Sequence, residues 1–502
     1  MDLLTDNLLA MAMSYLEVED LLACRLVCKR LARLAQHPDV WQDRSIEVHG
    51  GREMCPVLRL APCALEISTY VSSLRSGPAC RHADLRTTSC AAKGLTINVE
   101  NCVPEHAAKA VQIINRQAAL GRLRGVSLWL ADVSAILDPL VLPEEGVDQI
   151  FGTLATTPGL GMIILRGNLG QGKRFPPGIG QRGTITPSLE IFHCDMVPWP
   201  DSFCDYLLAG HAATLVGVHL GYIPARTSAP LASTSTARLL AGMPNLHKLC
   251  CPLIPGLGEV AACESLRELE LAVPTESNSH GALELLRRAL QIRRLHLYFP
   301  RRPDGEVDDH ELGAELIGEL ASSGRSQVQT LSIDVEDSYS QSLLVPHLAA
   351  RLSSLPALRR LELRLLDPAP LVDAISPQTA PYLRSLHLLD NECPRRMCSH
   401  KFLHSRRLGA LLSRNPLLHV EVQYATTDCL EGDEEDLYDE EDLYEKCNAC
   451  QLDCHKELEG PAEGEDGEIV GVFAHPGGEC PSPEDHDACG IWIHINDVQP
   501  VF

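Results

Sequence analysis

Between residues 85 and 426, two spacings of apolar residues alternate along the chain. Short stretches of the form L-x-x-L-x-L put apolar side chains on one face of an extended strand. Between them, apolar residues fall three and four apart, the period of a helix with one buried face. The clearest strand units begin at Leu266 (LRELEL), Ile292 (IRRLHL), Val328 (VQTLSI), Leu358 (LRRLEL) and Leu383 (LRSLHL). Looser units begin at Leu123, Leu160, Leu189, Leu215, Leu246 and Leu417. Successive starts among these eleven lie 20 to 37 residues apart, with a mean of 29.4. Helical spacing is plainest in residues 280–291, 309–323 and 343–355. A strand or helix with one apolar face cannot bury it alone, so neighbouring units must stack. The expectation is an α/β solenoid of horseshoe form. Its strands line the concave face, and the x positions point outward.

Three other textures flank this region. Residues 1–46 are helical in pattern throughout. Residues 47–84 contain Gly50-Gly51, Pro56, Pro62 and Pro78, and read as a linker or capping segment. Residues 427–502 are acidic and rich in Gly, Pro and Cys, and are expected to be largely disordered.

In the N-terminal region, Asp6 is placed to cap a first helix carrying Leu8, Leu9, Ala12 and Leu16. Glu17 to Asp20 form a polar break. Leu21, Leu22, Cys24, Leu26, Val27, Leu31 and Leu34 then mark one or two further helices bearing Arg25, Lys29, Arg30 and Arg33. A piece of about 40 residues cannot close a large core, so its surplus apolar surface needs a partner.

The segment from Leu3 to Trp41, LLTDNLLAMAMSYLEVEDLLACRLVCKRLARLAQHPDVW, is similar to the F-box. The match is carried by Leu4, Leu8, Leu9, Ser14, Tyr15, Leu16, Asp20, Leu21, Leu22, Val27, Cys28, Lys29, Pro38 and Trp41. Thr5 stands where the family has proline, Ala12 where it has isoleucine and Leu31 where it has tryptophan. The alanine at position 12 is expected to remove about three buried methylenes, or about 2 kcal/mol of burial. The repeats, in turn, resemble the leucine-rich repeats of F-box proteins. Together the two resemblances imply a small trihelical F-box (1–46), a linker or cap (47–84), a leucine-rich-repeat solenoid (85–426) and an acidic tail (427–502). They also imply a partner, the Skp-type adaptor that bridges to a cullin–RING ligase. Leu4, Leu8, Leu9, Leu16, Leu21, Leu22, Val27, Cys28 and Trp41 would form that junction or the core beside it. No position is assigned to a substrate.

Charge and composition narrow the function classes. The chain has 43 Lys/Arg against 67 Asp/Glu, a net charge of −24. Residues 428–502 carry 23 acids against Lys446 and Lys456, so the rest of the chain is close to neutral. This balance argues against nucleic-acid binding, which needs basic clusters. No stretch of about 18 residues is long and apolar enough for a membrane span. The N-terminus lacks a basic signal-peptide region. A leucine-rich chain needs no disulfide framework, so the 20 cysteines read as thiols of the cytosol or nucleus.

Candidate chemistry is sparse. Gly167 to Lys173 (GNLGQGK) has phosphate-loop spacing, but Arg174 replaces the magnesium-binding Ser/Thr and FPPG follows. Cys447, Cys450, Cys454 and His455 form C-x2-C-x3-C-H, half of a zinc site. The following His475, Cys480, His486 and Cys489 do not repeat the spacing, so no metal or other cofactor is expected. The acidic run Asp428 to Glu445 reads first as a solvated, disordered stretch; the sharper reading is that it recruits a basic substrate or folds onto Arg293, Arg294, Arg359, Arg360 and Arg384. No hydrolase elbow, zinc-protease or kinase signature occurs. The resemblance to F-box proteins implies a non-catalytic substrate receptor of a Skp–cullin–F-box ubiquitin ligase. The alternative is a leucine-rich-repeat scaffold acting outside a ligase.

Overall fold

The structure is a computed structural model. It describes residues 4–48, 54–72, 84–100, 102–131, 144–168, 175–197, 199–221, 235–273, 279–300, 311–322, 324–335, 338–364, 369–389, 403–424, 468–476, 480 and 491–497. The chain divides into two compact units, residues 1–223 with 227–249, and residues 224–226 with 250–502.

The first unit opens with four short helices, α1 (Asp6–Ser14), α2 (Val18–Val27), α3 (Lys29–Leu34) and α4 (Pro38–Trp41). A parallel sheet follows. Strands β1 (Ser45–Val48), β2 (Cys63–Val71), β3 (Ala91–Glu100), β4 (Gly125–Ala131), β5 (Met162–Asn168), β6 (Ile191–Val197) and β7 (Gly217–Leu220) pair in chain order. Helices α5 (Met54–Leu60), α6 (Pro104–Ala119), α7 (Glu144–Thr156) and α8 (Asp201–His211) intervene between strands, and α9 (Ser235–Ala241) follows β7. Strand β8 (Lys248–Pro252) lies where the two units divide.

The sheet keeps the predicted frame. Leu95, Val126, Ile163, Phe192 and Val218 are register partners, and so are Ile97, Leu128, Leu165, Cys194 and Leu220. All ten are buried. The frame also extends earlier than the leucine spacing indicates. Ala64 pairs with Ala92 and Ile67 with Leu95, so β2 and β3 are two further strands of the same type. Strand β2 lies in the segment read as a linker or cap.

In the second unit, β9 (Glu268–Ala272), β10 (Arg294–Phe299), β11 (Thr330–Val335), β12 (Arg360–Arg364), β13 (Ser385–Leu389) and β14 (His419–Tyr424) are parallel and again in chain order. Between them run α10 (Ser279–Arg288), α11 (Glu311–Ser322), α12 (Ser338–Arg351), α13 (Ala369–Ala374) and α14 (Arg406–Arg414). Leu269, Leu295, Leu331, Leu361, Leu386 and Val420 form one buried row across the strands. A backbone ladder holds the entry to each strand. Arg293 N–H donates to Arg267 O at 2.8 Å, Gln329 to Arg293 at 2.7 Å, Arg359 to Gln329 at 2.8 Å and Arg384 to Arg359 at 2.7 Å. At β14 the buried position falls on Leu418, while Leu417 is exposed, a one-residue shift from the predicted start.

Two short strands belong to the tail. β15 (Glu468–Phe473) pairs antiparallel with β14, and β16 (Ile491–His494) pairs parallel with β15. Among the described residues no helix is long and apolar enough to cross a membrane, and none of the described cysteines forms a disulfide.

One buried histidine makes the first unit pH-sensitive. His211, at the end of α8, accepts the Ser188 and Leu189 backbone N–H groups on Nδ1, both at 3.2 Å. Burial lowers its pKa from the ordinary 6.5. The unfolded chain therefore binds the proton more readily than the folded one. The associated stability is present above pH 6.5 and falls as pH drops below it, by at most about 1.4 kcal/mol per pH unit. His211→Asn keeps an acceptor without the titration. Urea unfolding between about pH 7.5 and 5.5 should show a smaller acid-side loss of stability in the variant. An unchanged slope assigns the loss to other groups.

Candidate functional site

The N-terminal helices carry more apolar surface than they bury. Thr5 is the N-cap of α1, its hydroxyl accepting from Leu8 N at 3.4 Å. Asp6, the residue expected to cap, instead bonds Arg30 at 2.8 Å and Arg33 at 2.5 Å, pinning α1 to α3. The Arg30 hydrogen bond is the main reason the Asp6 carboxyl is held below its ordinary range. Thr5 at the family's proline position is thus compatible with a helix start, since its φ of −69° is one that proline also adopts.

Arg44 closes the other end of α1. Its guanidinium donates to Met13 O at 3.2 Å, to Ser14 O at 2.7 Å and to Leu16 O, placing a cation at the carbonyl end of the helix. It also donates to Val40 O at 2.8 Å and sits 5.9 Å from the centre of the Trp41 ring. The sequence reading did not select Arg44; its only advance signal is a lone arginine just beyond Trp41.

Packing sorts the nine positions named for the adaptor junction. Leu9, Leu21 and Trp41 are buried, and Trp41 Nε1 donates to Ala35 O at 2.8 Å. Leu16 and Leu22 are half-buried. Leu4, Leu8, Val27 and Cys28 are exposed. Three more exposed apolar residues join them: Met11 (60%), Tyr15 (85%) and Leu26 (89%), beside Leu8 at 50%. Leu8, Met11 and the C-cap Tyr15 follow helical spacing along one face of α1, and Leu4 lies just before its N-cap. Arg30, at the start of α3, donates to Leu4 O, so α3 meets the segment that leads into α1. Ala12 is exposed, so it leaves no void in the helical core. Leu31 is buried in the tryptophan's place.

The F-box-like family matches residues 6–47. Residues 6–47 are an F-box-like domain. No curated protein matches the chain. Among solved structures, the chain is similar to one from the crystal structure of the yeast Rad7–Elc1 complex. The identity is 11%, with 77% of this chain and 90% of that chain covered and a TM-score of 0.29. The F-box-like domain is followed by the long α/β repeat-type sheet.

The outward positions of that sheet form a second candidate surface. In the first unit Tyr70, Asn98, Trp129, Arg166 and Asp195 are register partners across five strands. Tyr70 and Trp129 are exposed, and burial raises the Asp195 carboxyl above its ordinary range. In the second unit the outward face is charged and largely self-paired. Arg294 bonds Glu268 at 2.5 Å, Arg360 bonds Glu362 at 2.6 Å and lies 3.6 Å from Glu421, and Arg364 lies 3.6 Å from Asp334. Arg294 and Arg360, two of the arginines offered to the acidic run, thus already face carboxylates of their own sheet. Asp428 to Glu445 lies outside the described residues.

The remaining candidates separate. Gly167 lies within β5 at φ +148°, and a Cβ there would strike the Leu130 backbone, so close strand packing accounts for that glycine. Residues 169–174 lie outside the described residues. Burial pushes the Cys90 and Cys251 thiols up to about 12, which keeps them protonated at neutral pH. Cys447, Cys450, Cys454, His455, His486 and Cys489 are outside the described residues. His475 and Cys480 are described, and the fold brings them to His419.

Proposed function

We propose that this protein is a substrate receptor of a Skp–cullin–F-box ubiquitin ligase. The observation that carries the reading is an F-box-like domain whose apolar residues are exposed on α1 and at the end of α2. Exposed apolar residues clustered on one small domain mark an interaction surface. F-box domains bind Skp-type adaptors, and the exposed set here is rich in Leu, Met and Tyr, residues suited to such an interface. The repeat sheet would be a leucine-rich-repeat solenoid presenting its outward positions to a protein substrate. Tyr70, Trp129 and Arg166 are the first positions to alter, because aromatic and arginine side chains dominate most interfaces.

The chain would contribute no catalytic residue. Its role is proximity: holding a substrate lysine beside a charged conjugating enzyme raises the effective concentration. The setting would be the cytosol or nucleus. The test is co-elution of the purified full chain with a purified Skp-type adaptor. A 1:1 complex that recruits a cullin supports the reading. Failure to bind the adaptor sinks it and leaves the leucine-rich scaffold.

A further inference from the structure

His419 begins β14, and β15 runs antiparallel to it. The register places Val420 opposite Val472, so the chain leaving β15 passes the start of β14. Two residues beyond Phe473, His475 faces His419, with the two Nε2 atoms 3.1 Å apart. Cys480 Sγ lies 3.5 Å from His419 Nε2. The three donor atoms all fall within 4.8 Å of one another. Both histidines are buried.

We infer that His419, His475 and Cys480 bind a zinc-class metal ion. Zn–N bonds of about 2.0–2.1 Å and a Zn–S bond of about 2.3 Å, set tetrahedrally, put N–N edges near 3.3 Å and N–S edges near 3.6 Å. The observed 3.1 and 3.5 Å match those edges. Protonation points the same way. His475 Nδ1 lies 3.2 Å from Pro476 O, an acceptor only, so Nδ1 carries the proton and Nε2 presents its lone pair.

Aromatic packing orients the two imidazoles, and three protein ligands leave the fourth tetrahedral position to water. Phe473 stacks on His475 at 4.8 Å between ring centres, and Trp492 meets His419 edge-on at 5.2 Å. Gly471 pairs with Trp492, and a Cβ at 471 would run into the indole, so glycine lets the ring lie over β15. Two imidazoles and a thiolate select a borderline ion such as Zn²⁺ over Ca²⁺ or Mg²⁺. Cys480 binds as thiolate and releases its proton to solvent. The ion would clasp the turn after β15 to the first residue of β14. This site differs from the C-x2-C-x3-C-H cluster, since only two of its three ligands lie in the tail.

The test uses the full chain, stripped with a chelator and reloaded with Zn²⁺ or Co²⁺ alone. The expected result is one zinc per chain and, with cobalt, a tetrahedral spectrum with a thiolate charge-transfer band. Cys480→Ser, a one-atom change, should abolish that band while circular dichroism stays native. His475→Gln should lose the bound equivalent, and zinc should raise the unfolding temperature of the wild type but of neither variant. A chain that binds no zinc overturns the proposal. So does a band kept in Cys480→Ser and lost in a Cys447→Ser/Cys450→Ser/Cys454→Ser variant.

Discussion

Leu8→Asp with Leu26→Lys should abolish binding to a Skp-type adaptor and leave the fold intact. Both side chains are at least half exposed, so neither supports the helical core. Each new charge also suits its helix. Leu8 lies in the first turn of α1, where an anion is favoured, and Leu26 lies in the last turn of α2, where a cation is favoured. Stability should therefore move by no more than about 0.5 kcal/mol. At the docked surface each change replaces an apolar anchor with a desolvated charge. Two losses of about 2 kcal/mol each weaken binding roughly a thousandfold. Titration calorimetry with circular dichroism checks both halves. A variant that keeps native affinity removes α1 and the end of α2 from the interface.

Trp41→Ala should act in the opposite way, destabilising the F-box-like domain by about 3–5 kcal/mol. Trp41 is 0% exposed. Its removal leaves a cavity, orphans Ala35 O and takes away the ring beneath Arg44. Because Arg44 also caps α1, loosening it propagates to the exposed face. Adaptor binding should then fail through loss of structure. Hydrogen exchange of residues 6–47 distinguishes the cases. Loss of binding with protection unchanged would make Trp41 a contact residue.

These predictions separate residues that the sequence presents alike. Leu8, Leu9, Leu21 and Leu26 are equivalent members of an apolar pattern. Which of them faces solvent is set by how four short helices pack, and by an arginine from outside the motif. The repeat frame was far more legible. Leucines at fixed spacing survive translation into buried rows because strand side chains alternate strictly. The frame was missed where small residues fill it, as at Ala64 and Ala92, and misplaced by one residue where Leu417 and Leu418 adjoin. The His419 cluster had no local signal. His419 reads as an ordinary position in a repeat unit, 56 residues before His475, and only the reversal at β15 brings them together.

The pairing of strands in the second unit is constant, whereas the sequence between them is not. Leu269, Leu295, Leu331, Leu361, Leu386 and Val420 lie 26, 36, 30, 25 and 34 residues apart along the chain, yet they stay level. The row stays level whatever the length between strands, and each of these strands pairs with its chain-order neighbours. Gene duplication or unequal exchange that inserts a whole unit meets the same mating edges on both sides. Such a chain can gain, lose or shuffle units while its ladder stays in step, so its outward positions can change without the core being reinvented.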